Sequence, residues 1–484
     1  MKAVLLFLIT ASAATANPLP NILFVLSDDH SVPHMGCYGD PNVMTPNFDR
    51  FAAEAVRFNR AYTTAPQCAP SRKSILSGRS PLGLQQTLFT LPLQADVVLF
   101  PELLKKEKGY HTGLVGRSHH LDGDSKETML QDIHRTHDLK TTAGRFDTCQ
   151  IATGGNGNET GNNALAQYRG FLDSVPTGKP FFLQLCFSDP HRGWDDAFHP
   201  HRHDPAKLKL PAHYPDLPAV RNDLARYYDE IARLDHHFGL VLEELEKRGL
   251  AANTIVLFIG DNGASQLRGK GTLYEFGLNV PLLVRWPGVA KPAVSDALVS
   301  GEDLAPTMLE AVALTPPEIM TGRSFLPLLK GGEYTPRTHV FGERGPHVGL
   351  PTQSASFDQS RTVIGTRYKL IYNALWQIPY HPVDFSGTPA WTSIAAAKKA
   401  GKLSKTMENL YLPPTRPMFE LYDLEKDPAE MNNLYDSVEH AAIREDLRKR
   451  LVEWMILERD HLPLPLKPGT PKKPANKNPK PASP

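Results

Sequence analysis

The chain has 484 residues, enough for two domains, because a single hydrophobic core seldom grows beyond about 250 to 300 residues. Its 53 lysines and arginines nearly balance its 52 aspartates and glutamates, so no bulk charge attracts nucleic acid or a membrane surface, and any anion recognition must be local. Four cysteines in so long a chain exclude a disulfide scaffold and leave room for at most one disulfide if one of them is reactive.

The two ends of the chain differ in composition from the rest. Lys2 is followed by an apolar run and then by small residues up to Ala16, a pattern typical of a signal peptide cut near residue 16. The run is too short to cross a bilayer, and no other apolar stretch approaches the length of a transmembrane helix. The Pro- and Lys-rich segment 463–484 cannot bury apolar area, so we expect a disordered basic tail. We expect an exported protein, periplasmic or secreted, or lysosomal in an animal host.

Buried strands and amphipathic helices alternate along the first two thirds of the chain. Continuous apolar runs of this kind are typical of parallel strands covered on both faces, and the alternation predicts an α/β fold with a mainly parallel central sheet between helices. The predicted strands are Asn21–Ser27, His111–Gly116, Pro180–Ser188, Thr254–Gly260 and a strand within 281–288; the predicted helices are Thr45–Asn59, Pro101–Lys108, Arg221–Lys247 and Asp303–Leu314.

The pattern changes from about residue 356. Arg361–Ile371 and Phe419–Asp423 alternate as antiparallel strands do, and Ala441–Arg459 has the spacing of an amphipathic helix. We therefore expect a smaller C-terminal α+β domain with an antiparallel sheet. The expected parts are a signal peptide at 1–16, a catalytic domain at 17–355, the α+β domain at 356–462 and the tail at 463–484.

Polar side chains follow each of the four long apolar strands. In open α/β sheets the ligand binds at the carboxyl ends of the strands, so these side chains are expected to meet. Taken singly, an Asp-Asp pair or an Asp-Asn-Gly triplet is more often a helix cap or a tight turn, but four such ends together favour a site. The residues are Asp28, Asp29, Arg117, His119, Asp189, His191, Arg192, Asp261 and Asn262.

Four of these residues offer hard oxygen ligands for a cation. Three carboxylates, from Asp28, Asp29 and Asp261, and the amide oxygen of Asn262, without a thiolate or histidine cluster, favour Ca2+ or Mg2+ over Zn2+, and Ca2+ over Mg2+.

Cationic and imidazole groups are expected opposite this metal site. A metal on one side and cations on the other hold a tetrahedral anion and stabilise its transition state, which predicts transfer of a sulfuryl or phosphoryl group to water. The groups are Arg72, Arg117, His119, His191 and Lys270.

A candidate nucleophile lies in the stretch Cys68–Arg79. Cys68 precedes Pro70, and Ser71 and Arg72 open a predicted helix, an arrangement that holds a reactive group beside an anion site. The alternative is an ordinary packed cysteine before a turn-forming proline.

These segments, in this order, resemble the formylglycine-dependent sulfatases of the alkaline phosphatase superfamily. The resemblance implies an alkaline-phosphatase-like large domain with a mainly parallel sheet. The matching segments are Asp28-Asp29, Cys68–Arg79, Gly116–His119, Asp189–His191, Gly260–Gly263, Gly269–Glu275 and Leu421–Pro428.

The resemblance implies the chemistry of the site. A formylglycine-generating or sulfatase-maturating enzyme would convert Cys68 to formylglycine, and its hydrate would attack sulfur, with residue 68 as a further Ca2+ ligand. Arg72 would stabilise the developing charge, and His119 would deprotonate the diol so that sulfate leaves. His191 and Lys270 would bind sulfate and protonate the leaving atom. Arg117 departs from the family, in which most members carry Lys, so its role is expected to be electrostatic only.

Two further segments look most like the heparan N-sulfatases, or sulfamidases, which cleave the N-sulfate of a terminal glucosamine. They are Asp189–Arg192 and the run from Asn373 through Asp384 to Asp423. Asp189, Arg192, His191 and Lys270 would bind this sulfated saccharide, although Asp189 has the alternative of a helix-start cap. An O-sulfate of another sugar, or a small ester as in arylsulfatases and choline sulfatases, remains open.

Two rivals remain, and the oligomeric state is not indicated. A phosphodiesterase, phosphatase or phosphonate hydrolase of the same superfamily usually needs a second metal; Asp235-His236-His237 could provide one but lies in a helical pattern, and Asn262 favours a single metal. A non-catalytic glycan-binding relative is the second rival, although every catalytic position is occupied.

Overall fold

The computed structural model describes residues 19–117, 120–123, 128–137, 142–151, 158–196, 198–348 and 352–466. The predicted signal peptide, His119 and most of the predicted tail lie outside these residues. The strands are β1 Asn21–Ser27, β2 Val56–Phe58, β3 Ala61–Tyr62, β4 His111–Gly116, β5 Thr148–Ile151, β6 Phe181–Cys186, β7 Thr254–Gly260, β8 Leu282–Arg285, β9 Ala293–Ser295, β10 Val299–Ser300, β11 His339–Arg344, β12 Ser360–Gly365, β13 Tyr368–Asn373 and β14 Phe419–Asp423.

Helices alternate with the strands over much of the chain. They are α1 Pro46–Ala52, α2 Cys68–Ser77, α3 Phe100–Lys108, α4 Thr128–Thr136, α5 Asn158–Ser174, α6 Pro218–Lys247, α7 Glu275–Leu278, α8 Leu304–Ala311, α9 Leu326–Leu329, α10 Pro389–Lys399, α11 Lys405–Tyr411 and α12 Ala441–Leu457.

An eight-stranded sheet forms the centre of the large domain, in the order β5-β4-β6-β1-β7-β8-β2-β9. The five strands from β5 to β7 are parallel, and β8 is antiparallel to both of its neighbours. Leu26 pairs with Cys186, and Ser27 pairs with Gly260, so β1, β6 and β7 end at the same level. The predicted mainly parallel sheet is confirmed, and the residues that follow these three strands emerge at one edge.

The two faces of β1 bury different side chains. Phe24 and Leu26 pack into a core with α2, α3 and α8, whereas Leu23 and Val25 pack into a second core with α1, α5 and α6. Each fully buried aliphatic or aromatic side chain contributes about 1.5 to 3 kcal/mol. Helices therefore cover both faces of the sheet, which explains why the strand sequences are continuously apolar.

A second sheet of four antiparallel strands, β11-β12-β13-β14, lies between the large domain and α12. Ile364 and Ile371 face Leu273 and Leu278 of the large domain, and the opposite face of the sheet packs on Leu451 of α12. The antiparallel C-terminal sheet is confirmed. Its first strand, β11, lies before the predicted boundary at residue 356. The sequence of this strand does not show that it belongs to the second sheet, which only its pairing with β12 reveals.

Two predicted elements are wrong in their extent. The predicted helix Thr45–Asn59 ends at Ala52, because Val56–Phe58 pairs with β8 and β9 at the far end of the sheet. The predicted single strand Arg361–Ile371 is a hairpin, in which Ile364 of β12 pairs with Lys369 of β13. In both segments the pattern of apolar residues continues across a turn, so the turn is evident only from the strands that pair on either side of it.

Among the described residues no helix is long and apolar enough to cross a membrane. All four cysteines lie in the described part of the chain, and none forms a disulfide.

Candidate active site

Three carboxylates and one thiol converge where β1 and β7 end. Asp28, Asp29, Asp261 and Cys68 each contribute an atom to a group that spans no more than 4.8 Å, and all four residues are buried. The backbone N–H of Asp29 donates to Asp261 Oδ1 at 3.1 Å, and that of Asp261 donates to the carbonyl oxygen of Ser27 at 3.0 Å. Adjacent parallel strands therefore fix the carboxylates side by side.

The donor set at this position suits a hard cation. Asn262 donates through its Nδ2 to Asp29 Oδ1 at 2.9 Å, while its buried Oδ1 has no hydrogen-bond donor among the described residues. Burial, together with the negative charge of Asp28, raises the pKa of Asp261 and of Asp29 to about 6. A hard divalent cation bound here would reduce the repulsion between the carboxylates and would also provide a partner for the amide oxygen of Asn262.

Cys68 is the first residue of α2, all of whose residues are buried. Its Sγ lies 3.4 Å from Asp28 Oδ1. Burial, and then the negative charge of Asp28, raises the pKa of the Cys68 thiol well above its usual range. The thiolate is the nucleophilic form of cysteine, so the unmodified side chain is poorly suited to attack a substrate.

Two arginines neutralise the carboxylates from the protein side. Arg72, one turn after Cys68, places Nη2 3.2 Å from Asp28 and Nε 2.8 Å from Asp261. Arg117, at the end of β4, places Nε 2.6 Å from Asp28 Oδ2. Burial opposes ionisation of Asp28, but the basic groups around it, Arg117 foremost, together outweigh burial and hold its pKa well below the usual range.

Lys270 and His191 lie on the opposite side of Asp29. Lys270 Nζ is 2.9 Å from Asp29 Oδ1 and 2.8 Å from Asp384 Oδ2, while His191 Nε2 is 3.8 and 3.9 Å from the same two carboxylates. His191 Nδ1 lies 2.7 Å from the carbonyl oxygen of Arg192, which can only accept, so Nδ1 carries the proton of the neutral ring. Burial, Lys270 and Arg117 lower the pKa of His191 to about 4.

Asp189 has a different role from the predicted one. It is buried, and both of its carboxylate oxygens accept hydrogen bonds from Arg233 of α6, at 3.0 and 3.1 Å. The expectation that Asp189 is free to bind a sugar is therefore wrong, because its acceptors are engaged. Asp189 instead anchors the segment that carries His191.

Arg192 is also held within the protein. Its guanidinium donates to Asp223 at 2.6 and 2.9 Å and lies over the ring of Trp194, 4.3 Å from the centroid. A substrate contact through Arg192 stays a prediction.

The base expected at His119 lies outside the described residues, but its neighbour His120 is described. A ring nitrogen of His120 lies within 4.8 Å of both Asp28 and Cys68 ligand atoms. The His120 ring centroid is 5.2 Å from that of Phe89, which is 4.3 Å from that of His347. The predictions omitted these three residues, although the doubled histidine at 119–120 was a local signal for His120.

Asp384 was also absent from the predicted site. It belongs to the loop between β13 and α10, far along the chain from the strand ends, so spacing along the sequence could not place it. The suggested second metal site at 235–237 does not form, because Asp235 accepts hydrogen bonds from the backbone N–H groups of Asn47 and Phe48.

Comparison with protein families gives two matches. The family described as Sulfatase matches residues 20–314, which include both strand ends, Cys68, His191 and Lys270. The family described as N-sulphoglucosamine sulphohydrolase, C-terminal, matches residues 263–409 and 411–456, which include Asp384 and all four strands of the second sheet.

Curated relatives match over nearly the whole chain. N-sulphoglucosamine sulphohydrolase of Homo sapiens is 30% identical over 477 residues, covering 90% of this chain and 89% of that protein. An ulvan-active sulfatase of Formosa agariphila is 30% identical over 451 residues, covering 92% of this chain and 81% of that protein.

Among solved structures, a protein in complex with its substrate D-glucosamine-2-N,6-O-disulfate superposes with a TM-score of 0.68. It is 20% identical and covers 92% of this chain and 99% of its own. At this identity the likeness concerns the fold.

Proposed function

The chain belongs to the sulfatase family and hydrolyses sulfate esters or sulfamates, and we propose that its substrate is the N-sulfate of glucosamine in heparan sulfate or heparin. The observation that carries this proposal is the match of residues 263–409 and 411–456 to the C-terminal family of N-sulphoglucosamine sulphohydrolases. That segment supplies Asp384, which contacts Lys270 at the candidate site.

We propose that Asp28, Asp29, Asp261, Asn262 and residue 68 hold Ca2+. Asn262 Oδ1 and the raised pKa values of Asp29 and Asp261 support this set, and Mg2+ fits less well because it demands a stricter octahedral geometry. When bound, the ion would offset the negative charge of the sulfate group.

We propose that a maturation enzyme converts Cys68 to formylglycine, whose hydrate supplies the attacking hydroxyl. The position of Cys68 supports this assignment, since its Sγ lies 3.4 Å from Asp28 Oδ1, within the group of carboxylates proposed to hold the ion. Arg72, held between Asp28 and Asp261, presents a fixed positive charge beside residue 68.

On the leaving-group side, Lys270 would bind the sulfate oxygens and deliver a proton to the departing nitrogen. His191 would share this role only in its imidazolium form, because its neutral ring carries the proton on Nδ1 and presents a bare Nε2 to the site. Burial opposes the charged form of Lys270, but Asp29 and Asp384 raise its pKa well above the usual range, so Lys270 remains an ammonium donor. We keep His119 as the proposed base that releases sulfate. Its neighbour His120, which lies among the described residues, has a ring nitrogen within 4.8 Å of Cys68 Sγ.

The charge of the site favours a monoanionic substrate, such as a sulfate ester or sulfamate, over the dianion of a phosphate monoester. The described site holds four carboxylates against three permanent cations, so one divalent ion leaves a single positive charge. A sulfate ester or sulfamate carries one negative charge, whereas a phosphate monoester carries about 1.5 to 2 near neutral pH. The site therefore matches a sulfuryl monoanion better than a phosphate monoester.

We further propose that the protein is exported and that it divides into the parts expected from the sequence, except that the smaller domain, formed by the second sheet and α12, begins with β11 at His339 rather than at residue 356.

A panel of substrates tests the function. The protein, produced with a maturation enzyme, is assayed for sulfate release from N-sulfoglucosamine, glucosamine 6-O-sulfate and an aryl sulfate. We expect N-sulfoglucosamine to give the highest kcat/KM. Activity on O-sulfated sugars alone would overturn the N-sulfate proposal and favour the second candidate, an O-sulfatase of another polysaccharide, which the equal identity to the ulvan-active sulfatase supports.

A further inference from the structure

A loop of the second domain reaches the catalytic centre at Asp384. The loop follows β13, and three of its residues contact the segments that carry the site. Tyr380 OH accepts a hydrogen bond from the backbone N–H of Arg268 at 3.0 Å, and the guanidinium of Arg192 lies over the ring of Phe385, 4.9 Å from the centroid. Asp384 is thus held from both sides, and its neighbour Phe385 packs against Arg192, one of the site arginines that the sequence indicated.

The third contact packs the loop directly against the neighbour of Lys270. Gly271 has a φ of +77°, and a Cβ at this position would lie 2.2 Å from Cγ2 of Val383. Only a glycine allows the two loops to approach this closely. Asp384 itself has a φ of +58°, in the left-handed region, which an aspartate tolerates better than most residues. The position of its carboxylate is therefore built into the contact between the two domains.

Asp384 and Asp29 flank the same two side chains from opposite directions. Both carboxylates lie within 2.9 Å of Lys270 and within 3.9 Å of His191 Nε2. They differ in exposure, since the side chain of Asp29 is fully buried and that of Asp384 is 32% exposed. Asp384 is the member of the pair that keeps acceptor capacity toward the open side of the pocket.

A carboxylate at this position is unexpected in a pocket for an anion. It repels the sulfate oxygens and reduces the positive charge of Lys270, so it requires a compensating contact with the substrate. The atom that links sulfur to the sugar provides one. A sulfamate nitrogen carries an N–H that can donate to a carboxylate, whereas the bridging oxygen of a sulfate ester carries no hydrogen and would face the carboxylate with its lone pairs.

We propose that Asp384 accepts a hydrogen bond from the N–H of the scissile sulfamate and so determines the preference for N-sulfate over O-sulfate. This inference rests on the proposed function and names the residue that distinguishes nitrogen from oxygen as the leaving atom. A buried or half-buried acceptor that loses its donor leaves an unpaired polar group, so such a site rejects the analogue without the N–H. Burial opposes ionisation of Asp384, but the positive charge of Lys270 at 2.8 Å outweighs it, lowers the pKa of Asp384 and keeps the carboxylate ionised.

Two substrates that differ only in the linking atom test this proposal. N-sulfoglucosamine has NH between C2 and sulfur, and glucose 2-O-sulfate has oxygen at the same place. The wild type is expected to prefer the N-sulfate. Asp384→Ala is expected to lower kcat/KM for the N-sulfate by about 100-fold and to leave that for the 2-O-sulfate unchanged or higher. For Asp384→Asn, which keeps a neutral acceptor, the kcat/KM for the N-sulfate is expected to lie between the values of the wild type and of Asp384→Ala.

A matched control separates this effect from a general loss of stability. Asp423→Asn removes a carboxylate that pairs with Arg367 at 2.7 Å on the second sheet, and the ratio of the two substrates is expected to stay at the wild-type value. Equal losses on both substrates in the Asp384 variants would overturn the proposal, because Asp384 would then only position Lys270 or contact a sugar hydroxyl. A wild type that hydrolyses only the 2-O-sulfate would instead overturn the proposed function.

Discussion

The two sides of the pocket are built differently. The side expected to hold the metal consists of Asp28, Asp261 and Arg72, whose side chains are fully buried. The two aspartates follow adjacent strands, and Arg72 lies in α2 of the large domain. The leaving-group side consists of Lys270, whose side chain is buried, and of His191 and Asp384, which are 19% and 32% exposed and come from loops of two domains. The fixed side carries chemistry that every sulfuryl substrate needs, whereas the open side can vary with the leaving group.

The largest effect should come from the fixed side. Cys68→Ala removes the residue from which the nucleophile is made, and sulfate release is expected to fall by about 10⁴-fold or more. Cys37→Ala removes a half-buried thiol outside the site and should retain wild-type activity. Intact-protein mass shows whether the wild type carries the modification, and the shift should be absent from Cys68→Ala. Near wild-type turnover by the Cys68 variant would refute the mechanism.

A pair of buried lysines distinguishes function from stability on the open side. Lys270 lies between Asp29 and Asp384, and Lys369 of the second sheet lies in the same way between Glu275 and Glu430, at 2.6 and 2.9 Å. Replacing either with Met leaves buried carboxylates uncompensated and should cost about 3 to 5 kcal/mol of unfolding free energy.

Only the Lys270→Met variant is expected to lose activity per folded molecule, by about 100- to 1,000-fold in kcat/KM. Thermal melting and active fraction are measured for both variants. Equal kcat/KM losses in Lys369→Met would show that the effect at Lys270 reflects folding rather than contact with substrate.

The dependence of Ca2+ binding on pH tests the fixed side without a mutation. The pKa of Asp29 and of Asp261 is raised to about 6 in the metal-free protein, above the usual value near 4. Protonation of these groups therefore stabilises the metal-free fold at low pH, and this stability is lost as the pH rises through about 6.

Calcium must displace those protons, so the rise in Tm on adding Ca2+ should be larger at about pH 7.5 than at about pH 5. Mg2+ at the same concentration provides the control and should raise Tm less. An equal rise at both pH values would contradict the proposal that Asp29 and Asp261 bind the ion.

The smallest effect is expected from Arg117→Lys. Arg117 reaches Asp28 through Nε and Ser188 Oγ through Nη1 at 2.8 Å, whereas a lysine keeps the charge but can satisfy fewer of these contacts. We expect kcat/KM to fall by less than about tenfold. A loss above about 100-fold would mean that the guanidinium geometry, and not its charge, is essential.

Local patterns were sufficient for most of the large domain. The runs Asn21–Ser27 and Thr254–Gly260 are strands with the predicted bounds, because both of their faces are buried and their composition is apolar throughout. Thr45–Asn59 and Arg361–Ile371 were predicted less well, because their second halves are shaped by strand partners distant in sequence.

Prediction of the site was accurate where a residue directly follows a strand. Asp28, Asp29 and Asp261 could be brought together from sequence because the carboxyl ends of parallel strands meet. Asp189 also follows a strand, but its role depends on Arg233 of α6, which lies 44 residues later in the chain.

The sequence by itself determined the alternating elements, the oxygen ligands at the strand ends, and the Cys68 segment, since each depends on neighbours along the chain. Tertiary structure alone decided which of the remaining polar groups face the pocket. Asp384 faces the pocket because it is exposed on a loop that packs against Gly271. Asp189 does not face it, because its carboxylate pairs with the buried Arg233. Contacts between domains set the leaving-group side, and those contacts have no local signature in the chain.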